Sequence, residues 1–451
     1  MPDTPAVPAL PLDRAALESA ALQALEIARE RGASHAEAET SASVGQSVTV
    51  RLGEVETVEY NRDKALAITV YFGKRRGNAS TSDLSAESIA RSVDAACAIA
   101  RHTAVDDAAG LPDPERLYRG EAPGLDLWHP WDLSVDEAIG LARETEDAAR
   151  AVDGRITNSE GATVSSSDAD FVFANSLGFV GGFPSSRASI ACGVLASEGE
   201  AMQRDYWYSS ERNPSRLEPA RAVGHRAGER AVRRLGARRV PTVEVPVLFE
   251  ANVAGSLIGH FVSAASGASL YRRSSFLLDA AGTPVFSPIV NLAEEPHLPG
   301  AMASGWFDGE GVATAPRRIV DAGVLAGYFL STYSARKLGL STTGNAGGCH
   351  NLVLQPGGQD FEALVRAMGR GLVVTELMGQ GINPVNGDYS RGAVGFWVED
   401  GEIRYPVEEV TIAGNLREMY RGIVAIGRDV LVRGSRSTGS ILVERMTVAG
   451  H

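Results

Sequence analysis

The chain has 451 residues, of which 44% are hydrophobic and 22% charged, values of a folded globular protein too long for one ordinary core rather than of a disordered or fibrous one. Its 43 Lys and Arg against 56 Asp and Glu leave a net charge of −13, which repels nucleic acid and anionic lipid unless a local basic patch overrides it. No apolar run approaches bilayer length, and the opening MPDTPAVPALPLDRAALESA has neither a basic n-region nor a long apolar h-region, so no membrane association and a cytoplasmic location are expected.

Residues 13–31 predict a helix with a stripe of Leu17, Leu22, Leu25 and Ala28, Asp13 as cap and Gly32 as stop. Three strand segments follow, around Val48 to Leu52, Val55 to Val58 and Leu66 to Phe72, with turns expected at Gly53 and Asn61. A second helix spans about 85–101. The Pro-, Gly- and acid-rich stretch 103–135 reads as a boundary. A helix at 136–151, strands near 155–165, 168–175, 187–197 and 202–208, and a basic helix over 217–235 repeat the same logic. In so acidic a chain that basic helix reads as a face paired to acidic neighbours, and nucleic acid is not expected as a partner. Cys97, Cys192 and Cys349 form no C-x-x-C pair, which points to a reducing compartment, with Cys97 and Cys192 in apolar surroundings as small buried hydrophobes.

From ARRVPTVEVPVLFE onward the chain is rich in strands and glycine, with hairpin signals at Asp321-Ala322-Gly323 and Asp400-Gly401, each leading into a short helix. The fold class is therefore α+β: N-terminal α+β units with helices on antiparallel sheet, over 1–110 and 111–237, then a large strand-rich, curled or barrel-like antiparallel domain over 238–451.

An amphipathic helix is expected over 251–268, with Val253, Leu257, Phe261 and Ala265 on one face and Asn252, Ser256, His260, Ser263 and Gly267 on the other. His260 has no acid or second imidazole one turn away, so this helix cannot chelate a metal by itself. Cys349 and His350 in TTGNAGGCHNL, on the glycine-rich loop that also carries Asn345, could approach a ligand from a distance, although adjacent residues seldom bind one ion well. His297 in EEPHLPG reads as a surface-loop residue. There is no G-x-S-x-G elbow, and TTGNAGG lacks the lysine and spacing of a phosphate loop. Asp388 and Arg391 in NPVNGDYSRGAVGFW either line a groove for a peptide backbone or form a structural ion pair.

Three blocks, GSLIGHFVSAASGASLYRRSSFLLD, GVLAGYFLSTYSARKLGLSTTGN and NGDYSRGAVGFWVEDGEIRYPVEEVTIAGNL, resemble the TldD/PmbA family, on its PmbA (TldE) branch, with YFGKRRGNASTSDLS fitting as well. The resemblance implies a subunit of a two-component cytoplasmic zinc metallopeptidase that degrades unfolded peptides, processing peptide precursors and labile antitoxins. It implies that a TldD-type partner carries the H-E-x-x-x-H helix and a later cysteine, and that this chain binds no cofactor itself. Aligned through Ser274-Ser275, the two histidines and the glutamate of that motif fall on Ile258, Ser263 and Gly259, and the cysteine falls within VRGSRSTGS, so no catalytic or metal residue carries over.

The expectation is thus a heterodimer subunit, non-catalytic alone, that shapes the substrate chamber through His260, Asn345, Cys349, His350, Asp388 and Arg391. The alternatives are a stand-alone homodimeric peptide- or ligand-binding protein, and an autonomous hydrolase using Asp388 or Cys349.

Overall fold

The computed structural model describes residues 10–450. The chain forms two compact units: one takes the chain up to Ser197 with Arg204–Val232 and Pro299–Thr314, the other Glu198–Gln203, Arg233–Leu298 and the chain from Ala315.

The first unit's elements begin with α1 (Arg14–Glu30), the strands β1 (His35–Arg51), β2 (Glu54–Phe72) and β3 (Arg75–Thr81), and α2 (Ala86–His102). They continue with α3 (Val135–Arg150), β4 (Ile156–Asn175), β5 (Val180–Gly181), β6 (Ser185–Glu198), β7 (Ala201–Glu211) and α4 (Ala220–Arg233). The strands make one sheet in the order β3-β2-β1-β4-β6-β7, with β5 paired to β4. Asp13 caps α1 by accepting from the Ala16 amide at 2.8 Å, and Ser85 caps α2. Small residues of α1, among them Ala20, Ala21 and Ala24, let it lie close on Ala36, Ala38, Leu66 and Ile68 of the sheet, with Ile89 and Val93 of α2 completing that core.

The turn expected at Asn61 is absent. β2 runs unbroken, and Asn61 pairs with Gly45. Residues 54–65 are exposed on both faces, so no alternation of apolar and polar residues marks them as strand. Likewise the two strands expected near 155–165 and 168–175 are the single strand β4. The basic helix is α4, and its arginines are engaged: Arg230 meets Asp205 at 3.2 Å, Arg226 meets Glu218 at 3.4 Å, and both guanidinium groups lie over Trp207.

The second unit opens with β8 (Val243–Phe249), α5 (Ala251–Ala264), α6 (Gly267–Tyr271), β9 (Leu292–Glu294), β10 (Arg317–Asp321), β11 (Val324–Leu325) and α7 (Thr332–Leu338). It continues with β12 (Leu352–Leu354), α8 (Phe361–Met368), β13 (Gly371–Met378), β14 (Asp388–Glu399), β15 (Glu402–Asn415) and α9 (Leu416–Arg421). Last come β16 (Ile423–Ile426), β17 (Leu431–Arg433), β18 (Arg436–Thr438) and β19 (Ile441–Ala449).

Strands β15, β14, β13, β8 and β19 pair in that order, and β19 pairs back to β15, which closes a five-stranded barrel with β16 added on β19. A second sheet runs β11-β10-β9-β12-β18-β17. The barrel and curled sheet are the architecture the strand-rich sequence predicts. Both hairpin signals close as tight turns, with positive φ at Ala322 and Gly323 (44° and 82°) and at Asp400 and Gly401 (54° and 73°). The helix expected over 251–268 stops at Ala264, because the Ser266 side chain accepts from the Ser269 amide and starts the separate helix α6.

Candidate functional site

The first turn of α5 is pinned to its surroundings: the Glu250 amide donates to the Val374 carbonyl at 3.0 Å, and the Ala251 amide to Ser440 Oγ at 3.0 Å. Its apolar face is buried, with Phe261 edge-on to Phe286 and the Tyr420 hydroxyl donating to the Leu257 carbonyl at 2.9 Å. Helical spacing then places Asn252, Gly255, Ser256, Gly259, His260 and Ser263 together on the opposite face. Two arginines of the β17–β18 hairpin lie across it. Arg433 Nε donates to Asn252 Oδ1 at 3.2 Å. The Arg436 side chain runs over the two glycines, so that a Cβ at Gly259 would stand 3.1 Å from its guanidinium carbon.

His260 is half-buried, and its Nε2 is shut off from solvent with no hydrogen-bond partner among the described residues. Its ring stands edge-on to Tyr389, centroids 5.9 Å apart, and the hydroxyl of that 1%-exposed tyrosine is likewise unpartnered. Burial, then the Arg391 and Arg436 charges, push the imidazole down to about 4, while burial pushes the Tyr389 phenol up to about 12. At neutral pH both are uncharged, between two guanidinium groups that make no ion pair among the described residues.

This carries a pH prediction. A histidine whose folded pKa lies below its unfolded value of about 6.5 adds stability that is complete above the unfolded value and is lost as pH falls from there towards about 4. His260→Phe, which keeps a ring against Tyr389, is expected to lose less stability than the wild type between pH 7 and pH 4.5 in urea unfolding. Parallel acid slopes for the two proteins would reject this reading.

Asn345, Cys349 and His350 share one loop, held from beneath by Glu294. Glu294 is 1% exposed and accepts from Asn345 Nδ2 and the His350 amide, each at 2.8 Å, and from Arg317 Nε at 2.7 Å. Asn345 therefore ties the loop together, also accepting from Arg317 and from the Thr343 hydroxyl. The His350 Nε2 lies 3.0 Å from the Gly344 carbonyl. Burial first, and then Glu294, raise the Cys349 thiol, opposed by Arg436, so the sulfur is a thiol and not an activated thiolate. His297 is half-buried, with its pKa lowered by burial and by His350.

Asp388 and Arg391 do not pair. The aspartate accepts from Asn386 and Asn415, at 2.6 and 3.1 Å, whereas Arg391 Nε reaches only the Met378 carbonyl at 3.5 Å. Strand alternation separates residues three apart onto opposite faces. The fold thus gathers His260, Arg391 and, through Arg436, Cys349 around the polar face of α5. Sequence reasoning missed Arg436, Tyr389 and Glu294. VRGSRSTGS was read only for its lack of a cysteine, although its two arginines were the available signal.

The donor set here does not fit zinc. Ile258 is 2% exposed in the apolar core, Gly259 has no side chain, and the Ser263 hydroxyl donates to the Gly259 carbonyl. Across them lies a permanent cation, Arg436, which repels a metal ion. Among the described residues no three His, Cys, Asp or Glu side chains come together as a metal cage.

Three consecutive models of the PmbA/TldD family match the chain, described as PmbA/TldA metallopeptidase domain 1 over 36–100, central domain over 128–235 and C-terminal domain over 242–450. Metalloprotease PmbA of Escherichia coli O157:H7 is 48% identical over 97% of each chain. Among solved structures, a Bacteroides thetaiotaomicron protein named for modulation of DNA gyrase superposes with a TM-score of 0.91 at 29% identity, over 96% of this chain and 99% of that one. TldE from Thermococcus kodakarensis shares the fold, with a TM-score of 0.84 at 22% identity over 96% of this chain and the whole of that one.

Proposed function

Since the chain belongs to the PmbA/TldD metallopeptidase family, we propose that it is the PmbA-type (TldE-type) subunit of a two-component cytoplasmic peptidase, shaping the substrate chamber while a TldD-type partner supplies the zinc site. The observation that carries this reading is the Arg436 guanidinium lying over Gly259 on α5, at the positions where the resemblance puts the metal ligands. A cation held there cannot give way to zinc at low cost, so hydrolysis is left to the partner.

What the face offers instead is recognition. The Arg391 and Arg436 guanidinium groups, beside the neutral His260 ring, present donors suited to peptide carbonyl and carboxylate oxygens. Cys349 neighbours them through Arg436, on the loop that also carries Asn345 and His350, and Asp388 stands at the start of β14. Beside this face β17 is the last strand of its sheet, with Val432 59% exposed. An extended, unfolded peptide adding to that edge takes its affinity from main-chain hydrogen bonds and so tolerates many sequences. That suits degradation of unfolded antitoxins and processing of peptide precursors. Nothing in the reading calls for nucleic acid, and no described helix is long and apolar enough to cross a membrane.

The test is elemental analysis and a cleavage assay on one unfolded peptide. The chain purified alone is expected to hold no stoichiometric zinc and to cleave nothing, and the mixture with a TldD-type subunit is expected to cleave. Cleavage by the chain alone overturns the proposal. Tight peptide binding without cleavage in either sample establishes the rival, a stand-alone homodimeric binding protein.

A further inference from the structure

The first unit contains a cavity of about 450 Å³ in which carboxylates and indoles meet. Its floor is strand: Val44 on β1 lies in register with Asp168 on β4, and Asp170 follows on the same face. One wall is the entry to α1, with Leu12, Asp13 and Arg14. The other is the segment carrying Trp128, Trp131 and Asp132. That segment is fixed at both ends: the Leu127 carbonyl accepts from the Ser186 amide at 2.9 Å, and the Leu133 carbonyl from Gln46 Nε2 at 3.2 Å.

The acidic groups around the cavity are not equivalent. Asp170 is taken by Arg14, through both Nε and Nη2. Asp13 caps α1. Asp168 is only 8% exposed, yet among the described residues its carboxylate makes no hydrogen bond and no ion pair. Its carboxyl is pushed up to about 6 by burial and by nothing else. A carboxylate so nearly enclosed and without a partner among the described residues carries a desolvation cost that a cation in the cavity would offset.

We propose that this cavity binds an aliphatic ammonium ion, with Asp168 as its counter-ion and the indoles of Trp128 and Trp131 against its methylene stem. Indole faces attract cations, and the same rings bury apolar carbon. An ammonium has three donors to satisfy and a guanidinium five in a fixed fork, whereas the cavity offers one buried carboxylate without a partner among the described residues, Asp132 on its wall being exposed. The ammonium chemistry is shared by a lysine side chain of a bound peptide and by a free diamine.

The experiment uses the full chain at pH 7.5, with n-butylammonium as probe and n-butanol as its uncharged counterpart, read by ligand-observed NMR and calorimetry. n-Butylammonium is expected to bind saturably, at least about tenfold more tightly than n-butanol. Asp168→Asn is expected to abolish that difference and to raise the melting temperature, because an unpaired buried charge is removed. A carboxylate with a purely structural role predicts the opposite, a lower melting temperature. Equal binding of amine and alcohol, unchanged amine binding by Asp168→Asn, or a destabilised Asp168→Asn protein overturns the proposal. Trp131→Leu keeps the carboxylate and is expected to weaken the amine several-fold; unchanged binding there counts against the site as well. A blocked lysine tripeptide and 1,4-diaminobutane, compared in the same assay, distinguish the two sources, the tighter of them naming the occupant.

Discussion

Replacing Glu294 by alanine is expected to destabilise the second unit by about 3–5 kcal/mol, the cost of leaving one member of a buried charge network without its partner. Glu294 is the acceptor on which Arg317, Asn345 and the His350 amide converge. Arg317 also donates to the Tyr328 carbonyl at 2.8 Å and to Asn345 Oδ1 at 2.7 Å, so losing the carboxylate strands a largely enclosed guanidinium and frees the loop that carries Cys349 and His350. Urea unfolding followed by circular dichroism measures the loss. Glu294→Leu combined with Arg317→Met is expected to recover much of it, because a pair removed together leaves no uncompensated charge. A loss below about 1 kcal/mol for the single variant contradicts the account, since that is the scale of exposed pairs.

A comparable loss, upwards of about 3 kcal/mol, is expected from adding a single methyl group at Gly395→Ala. A Cβ there would stand 1.7 Å from the Val373 carbonyl oxygen and 2.8 Å from its carbon. Both are backbone atoms of β13, and Gly395 is opposite Val374 in the barrel ladder, so neither strand can yield without breaking hydrogen bonds. Gly392→Ala, three residues earlier on the same strand, meets the Met378 side chain at 3.4 Å and its carbonyl oxygen no closer than 3.8 Å, both ordinary contacts, and is expected to cost well under half as much. Thermal melting of the two variants side by side checks this, and equal melting temperatures would refute it.

Where one face of an element is covered and the other wet, period and turn signals located it from the sequence: α1 with its Asp13 cap, α2 by its apolar period, and the tight turns at Gly323 and Gly401 all lie where the residues demand. Where neither face is covered the signal vanished, as in the ribbon half of β2 around Asn61. Of the candidate site the sequence showed one helix face, with His260 on it, because helical spacing is a local property. The groups that meet that face were not legible.

What the sequence by itself determined is which face of each helix and strand is apolar, where the chain turns, and that His260 has no acid or second imidazole one turn away on α5. Tertiary structure alone decided that Arg436 crosses over Gly259, that Glu294 meets Asn345 fifty-one residues on, that Asp388 and Arg391 part company, and that Asp168 faces a cavity without a side-chain partner among the described residues. The reason is range. Periodicity is written within a few residues and says which side of an element is buried, whereas the group that meets a buried side comes from pairing and packing between distant segments, of which the local pattern carries no record.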